Sequence, residues 1–321
     1  MKDTQYAFCV ARIRALENKL LTKQDVNSLI NQKDFASAFS FLVQKGYAKE
    51  NEVIDETINR QRKELHKILS DCVPDKNELE ALYILNDYFN IKVLIKCIIE
   101  NINPEIYIQL PSNVRLPEEY KLESLSEFLF LDEEYRSIAK TAYNIALKSQ
   151  NGKFSDAVID KEAIDALALR GNSKKKELLN KICAFLADTA NIKNALRCAT
   201  TAQNEEYINE ATGKCCKLNR NKLINSTVEG YDSLVSYLAT TDYRHGVEIY
   251  TSKPAGFEKW CDDTIIDICS QAVYTSFGFS PVVSYFYRKN IEIKTIAMIL
   301  TALKSDVNRE IIKERLRSLY A

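Results

Sequence analysis

Residues 84–98 read ILNDYFNIKVLIKCI, residues 185–199 read FLADTANIKNALRCA, and residues 286–300 read FYRKNIEIKTIAMIL. The three align without a gap on Asn90-Ile91-Lys92, Asn191-Ile192-Lys193 and Glu292-Ile293-Lys294, and 101 residues separate each Ile from the next. The first two share six positions: Leu85/Leu186, Asp87/Asp188, the Asn-Ile-Lys triplet and Cys97/Cys198. Apolar residues recur at −7 (Ile84, Phe185, Phe286), +3 (Leu94, Ala195, Ile296), +4 (Ile95, Leu196, Ala297) and +7 (Ile98, Ala199, Leu300) from the Ile. Those offsets share one face of a 3.6-residue helix, so each phrase predicts a long helix with an equivalent buried stripe. The competing reading is three unrelated amphipathic helices at a coincidental spacing. A phrase stated three times predicts a body of like units stacked through like surfaces, whereas an enzyme needs one reactive constellation.

With 321 residues the chain is long enough for two or three domain-sized units. Gly (8) and Pro (6) are scarce, so turn and strand punctuation is sparse and the expected class is all-α. The repeat divides the chain into 1–110, 111–211 and 212–321. Lys plus Arg (44) balances Asp plus Glu (44), which argues against a nucleic-acid phosphate backbone as partner. The run Lys174-Lys175-Lys176 reads as a solvated helix start. Nine cysteines scattered through apolar stretches suit reduced thiols of a cytoplasmic protein. No stretch approaches ~18 uninterrupted apolar residues, and the N-terminus has no apolar leader, so no membrane span is expected.

Punctuation predicts the helices. The first runs over about Thr4–Leu20, and Thr22 caps a second with Asp25 at N3, where Glu or Gln is more usual. Asp34 caps a third that ends at Gly46, and a charged helix covers Asn51–Ser70. One long helix follows over Asn77–Glu100, then a proline-rich link over Asn101–Pro117. Helices are expected at Glu118–Phe130, Glu133–Lys148, Phe154–Arg170 and Ser173–Thr200. Beyond Gly213 they fall at Asn219–Ser226, Gly230–Ala239, Asp242–Tyr250, Gly256–Phe277 and Pro281–Lys304, the last with Ser280 at N-cap, and a basic tail spans Asn308–Tyr320. A weaker echo places Tyr47, Tyr135 and Tyr243 after three short helices.

Reactive motifs are sparse. Gly213-Lys214 has Ile208 where a phosphate loop needs its first glycine and Cys215 where it needs a hydroxyl. Cys215-Cys216 are adjacent and cannot clamp zinc as a spaced pair would. His66 and His245 read as helix-surface or packing residues. Asp262-Asp263 with Asp267 could offer oxygen ligands on one helix face, but no second donor cluster accompanies them. Phe257, Trp260, Tyr274 and Tyr285-Phe286-Tyr287 read as core or interface packing. No catalytic residue, cofactor or metal is expected.

Two ends of the chain carry a resemblance. Tyr6–Thr22, YAFCVARIRALENKLLT, resembles the opening of the C subunit of V-type (A/V-type) ATPases, whose family includes the eukaryotic central-stalk d subunit. Ser280–Arg317 is similar to its closing pattern, an aromatic and aliphatic helix with Glu-Ile-Lys and a terminal E-R-L-R. The family often has an arginine just after Glu-Ile-Lys, where Thr295-Ile296-Ala297 stand here. The resemblance implies a funnel-like body of three helical subdomains about a pseudo-threefold axis. It also implies a non-catalytic role between the membrane rotor ring of proteolipid subunits and the central shaft, peripheral to the membrane on the cytoplasmic side. Lys92, Lys193 and Lys294, each one residue beyond the buried Ile, are the candidate shaft- or ring-facing contacts, with Arg12 and Arg14 in the opening motif. An alternative is a helical-repeat scaffold unrelated to rotary machinery; a hydrolase or transferase would need a polar cluster that the sequence does not advertise.

Overall fold

The computed structural model describes residues 3–109, 111–149, 152–171 and 177–319, and among them every regular element is helical. The Lys174-Lys175-Lys176 run and Tyr320 lie outside the described residues. A 3-10 turn leads into α1 (Ala7–Glu17), which buries Cys9, Val10 and Ile13. Helix α2 (Lys23–Ile30) starts with a reciprocal cap: the Thr22 hydroxyl accepts from Asp25 N, and the Asp25 carboxylate accepts from Thr22 N. The shorter Asp therefore serves where Glu or Gln was the expected partner. Asp34 caps α3 (Phe35–Gln44) through Ser37 N, and the chain leaves it through Gly46 at φ +69. Helix α4 (Ile54–Cys72) opens with Glu56 accepting from Val53 N.

The single helix expected over Asn77–Glu100 is two, α5 (Lys76–Glu80) and α6 (Ile84–Glu100). Ala81, Leu82, Tyr83 and Ile84 are buried in succession, which no single helix face can do, so the chain turns between them. Asn101, at φ +56, ends α6. The helix expected over Glu118–Phe130 shrinks to one turn, α7 (Leu122–Leu125). The hydroxyls of Ser124 and Ser126 bond back to the carbonyls of Lys121 and Glu123, competing with the helical ladder.

Helices α8 (Glu133–Ser149), α9 (Gly152–Gly171) and α10 (Glu177–Thr200) follow close to expectation. A short helix not foreseen, α11 (Glu205–Ala211), is capped by Asn204 and buries Tyr207, Ile208 and Ala211 beside Ala157 and Cys198. Then come α12 (Arg220–Glu229), α13 (Tyr231–Leu238), α14 (Arg244–Ser252), α15 (Gly256–Ser270), α16 (Ser280–Lys304) and α17 (Arg309–Glu314). Helix α15 stops short of Phe277 because tight turns take over at Gln271–Thr275. Phe279, not Ser280, is the N-cap of α16; it lends no side-chain bond, and Pro281 lies within the first turn. No described helix is long and apolar enough to cross a membrane.

The marker phrases lie on α6, α10 and α16. Of their stripe positions, Ile98, Ala199 and Ala297 are half-buried and all others are buried. The chain divides into two compact units. One joins Met1–Leu79 to Glu248–Ala321, and the other is Glu80–Val247. In the first, α16 packs on α1, α2, α3, α4 and α15; Leu29, Ile30 and Leu42 are fully buried against Ile296, Ile299 and Leu300. In the second, α6 packs on α8 and α9, and α10 packs on α9, α12 and α13. At 25 cal/mol/Å², each such Leu or Ile contributes roughly 1.5–3 kcal/mol by its burial.

Two features of the first unit tie its N-terminal helices together. Arg60 on α4 donates to Glu52 at 2.6 Å and to the Tyr47 carbonyl at 2.7 Å, pinning the loop after α3. Cys9 on α1 and Cys72 at the end of α4 form a disulfide with a Cα–Cα distance of 4.8 Å. This corrects the expectation of reduced thiols throughout: helix packing brings together sulfurs 63 residues apart, which no sequence spacing announces. Cross-linking a loop of that length restricts the unfolded chain by on the order of 4 kcal/mol. Reducing the purified protein should therefore lower its urea midpoint, while a Cys9→Ser/Cys72→Ser variant should be insensitive to reductant; equal midpoints with and without reductant would contradict the cross-link. The hydrogen bond to Arg60 lowers the Glu52 carboxyl from 4.5 to about 2. Its contribution is complete above the unfolded value of 4.5 and disappears as pH falls through about 2. Glu52→Gln should accordingly flatten this acid limb of the unfolding free energy.

Candidate functional site

The marker helices bury polar groups that a helix core ordinarily excludes. Asp87 is fully buried and accepts from Ser112 Oγ and Asn113 N at 2.6 Å, Asn113 Nδ2 at 2.8 Å and the Tyr135 hydroxyl at 3.0 Å. Asp188, equally buried, accepts from Cys216 N, Lys217 N and the Tyr243 hydroxyl, each at 2.8 Å. Three residues along, Asn90 exchanges two hydrogen bonds with the backbone of Gln109, and Asn191 bonds the backbone of Gly213 and Lys214. Each Asp–Asn pair thus clamps the segment that follows its helix. Burial and the facing aspartate hold the hydroxyls of Tyr135 and Tyr243 far above the usual phenol range, so both stay protonated donors.

On α16 the same two registers carry Lys289 and Glu292. Glu292 accepts from Leu21 N at 2.6 Å and pairs with Lys289 at 2.5 Å, and the Lys289 ammonium sits 4.7 Å from the Tyr47 ring centroid. Tyr47, Tyr135 and Tyr243, the residues of the weak sequence echo, therefore stand beside the same helical register in all three places. Sequence reading passed over Lys289, although the column Asp87, Asp188, Lys289 carried the signal.

The candidate contact residues are engaged within the chain. Lys92 pairs with Asp160 on α9, and Lys294 pairs with Asp262 at 2.7 Å, a carboxylate shared with Arg317 at 2.9 Å. Lys193 is half-buried. Arg12 pairs with Asp71 at 3.5 Å. Arg14 pairs with Glu17 at 2.8 Å and donates to the carbonyls of Ala272, Val273 and Thr275, each at 2.9 Å, beyond the end of α15. Arg12, Arg14 and Lys294 belong to the first compact unit, Lys92 and Lys193 to the second.

The other polar features settle into structural roles. Asp263 accepts from Ser318 N while Asp262 pairs with Lys294 and Arg317, and among the described residues no group of three or more His, Cys, Asp or Glu could hold a metal. Gly213 lies against Ile164, whose Cγ2 would stand 2.7 Å from an added Cβ, so this glycine answers close packing. Burial pushes the thiols of Cys215 and Cys216 up to about 12 and about 11, which leaves them unreactive near neutrality. The rings of Phe257 and Trp260 are tilted against each other with centroids 5.3 Å apart, whereas Tyr274 is 93% exposed.

The profile of the family described as ATP synthase (C/AC39) subunit matches residues 9–315. The chain belongs to the ATP synthase (C/AC39) subunit family. It is similar to the C subunit of the V-type sodium ATPase of Enterococcus hirae, with 21% identity over 329 residues covering 96% of this chain and 97% of that protein. A C/AC39-family chain is thus matched from α1 to the end of α17, both α1 and the Glu-Ile-Lys helix included.

The clamp makes a direct prediction. Truncating Asp188 to Ala strands two backbone donors and a buried phenol, so Asp188→Ala should destabilise the fold by roughly 3–5 kcal/mol in urea unfolding. Lys217→Ala, which leaves that backbone donor in place, should fall within about 1 kcal/mol of the parent; similar losses for the two variants would remove the clamp assignment.

Proposed function

We propose that this chain is the non-catalytic central-stalk C subunit of a V-type ATPase or ATP synthase. It passes rotation between the membrane ring of proteolipid subunits and the central shaft of the ATP-handling head, from a position peripheral to the membrane on its cytoplasmic side. The observation that carries this reading is the family match over residues 9–315. The name of the Enterococcus hirae relative, which belongs to a V-type sodium ATPase, supports it. We take the 101-residue repeat to mark three helical subdomains, 1–110, 111–211 and 212–321, arranged about a pseudo-threefold axis as a funnel.

The physical requirement of such a part is stiffness. Close-packed helices have little free volume to yield under load, and clamps made by buried carboxylates fix the connecting segments as well as the helices. A socket that grips without slipping favours complementary charge around its wall. Lys294, whose side chain is 48% exposed although paired, is the first choice for such a contact, followed by Lys92 and Lys193. Arg12 and Arg14 are further choices, but Arg14 also holds three carbonyls, so its loss would loosen the fold as well.

Affinity purification of the tagged chain from detergent-solubilised membranes should recover shaft and proteolipid subunits of a rotary ATPase; recovery of neither overturns the assignment. Replacing Lys92, Lys193 and Lys294 together by Ala should reduce shaft recovery by roughly tenfold with the helical circular-dichroism signal retained. Unchanged recovery would take these lysines out of the socket.

A further inference from the structure

The nine cysteines divide into one cross-linked pair, Cys9–Cys72, and seven thiols. Five of the seven are buried, and Cys215 and Cys216 are half-buried neighbours in sequence. In an oxidising compartment seven thiols would be open to mispairing while the chain folds, so this set suits a reducing one. That agrees with the cytoplasmic side proposed above, a reading on which the present inference rests. In a reducing compartment a protein disulfide is characteristically transient and redox-sensing, because thiols there compete for it.

The pair is placed to respond and to pass the response on. Cys9 is fully buried on α1, whereas Cys72 is half-buried and is the last residue of α4, ahead of Val73-Pro74. An incoming thiol therefore meets Cys72, at a helix end where the chain can rearrange without breaking a full turn. Helix α1 also carries Arg14, which holds the carbonyls of Ala272, Val273 and Thr275. That loop displays Tyr274, 93% exposed, and Phe277, 55% exposed, so the hold on α1 is relayed to two surface aromatics.

We propose that Cys9–Cys72 is a thiol–disulfide switch. Oxidised, it fastens α1 to the end of α4; reduced, it loosens α1 and, through Arg14, the loop of Tyr274 and Phe277. The reductant is a dithiol. Its thiolate attacks Cys72 Sγ, the S–S bond breaks, and Cys9 leaves as a thiolate that takes up a proton. The second thiol of the reductant then attacks the mixed disulfide and frees Cys72 as a thiol. The reductant ends as a disulfide, having given two electrons and two protons to the pair; exchange with a disulfide of the same class reverses the step.

The test equilibrates the full-length chain, without denaturant, in mixtures of reduced and oxidised dithiothreitol, traps thiols with iodoacetamide and maps them by mass spectrometry. Cys9 and Cys72 should become alkylated together and reversibly as the reduced form rises, with the helical circular-dichroism signal retained. With glutathione, a monothiol, the mixed disulfide should be caught on Cys72. Reduction should speed amide hydrogen exchange in α1 and residues 272–277 by about tenfold and leave α8, α9 and α10 unchanged. Cys9→Ser/Cys72→Ser should exchange at the reduced rate with or without reductant, and Cys9→Ala/Cys72→Ala serves as a second variant if serine disturbs the packing. A pair that opens only in urea, glutathione caught on Cys9, or equal exchange rates in the two states would each overturn the switch. Failure of the stalk reading shows in the membrane purification, and failure of the switch shows in the isolated chain.

Discussion

A carboxylate taken out of water is destabilising unless its lone pairs meet donors, and Asp87 and Asp188 meet theirs from backbone beyond their own helices. This constraint governs the rest. Around Asp188 the N–H groups of α10 are already committed to the helical ladder, and Asp87, in the first turn of α6, likewise takes its donors from outside its helix. Each Asp must recruit the chain that follows. The paths of Gln109, of residues 111–114 and of residues 213–217 are therefore fixed by the marker helices, and each tyrosine hydroxyl that completes the coordination draws a further helix, α8 or the start of α14, onto the same point.

On the third marker helix the same two registers carry a lysine and a glutamate paired with each other. The segment beside it is the entry to α2, where Thr22 and Asp25 cap each other and leave only Leu21 N for Glu292. With its local donors already matched, that segment has no use for a carboxylate at the Asp register. A lysine is tolerated there because Glu292 neutralises it and the face of Tyr47 accepts it. Among the described residues the buried Tyr47 hydroxyl has no hydrogen-bond partner.

These clamps bear on the mechanical role proposed for a C/AC39-family protein. A chain that transmits torque fails first where connections are loose, and here connecting segments are held by charged and amide groups buried in the helix cores. Arg14, Arg60 and the Cys9–Cys72 cross-link act alike in the first compact unit, each joining segments distant in sequence. The price of such an arrangement is sensitivity to the loss of a single buried polar group.

Helix class, most helix positions and the buried stripe were legible in the sequence, because 3.6-residue periodicity and capping chemistry are local properties. Thr22, Asp34 and Asn219 do at the helix starts what their side chains dictate. The family, too, was legible at the two ends. Tertiary structure alone decided the break between α5 and α6, where four successive residues are buried, and the pairing of Cys9 with Cys72. It also decided that Asp87 and Asp188, visible as identities, are clamps, and that Lys92 and Lys294 are paired with acidic residues of other helices. A residue's periodicity is written in its neighbours along the chain; the partner that satisfies a buried charge is set by which distant segment packs beside it.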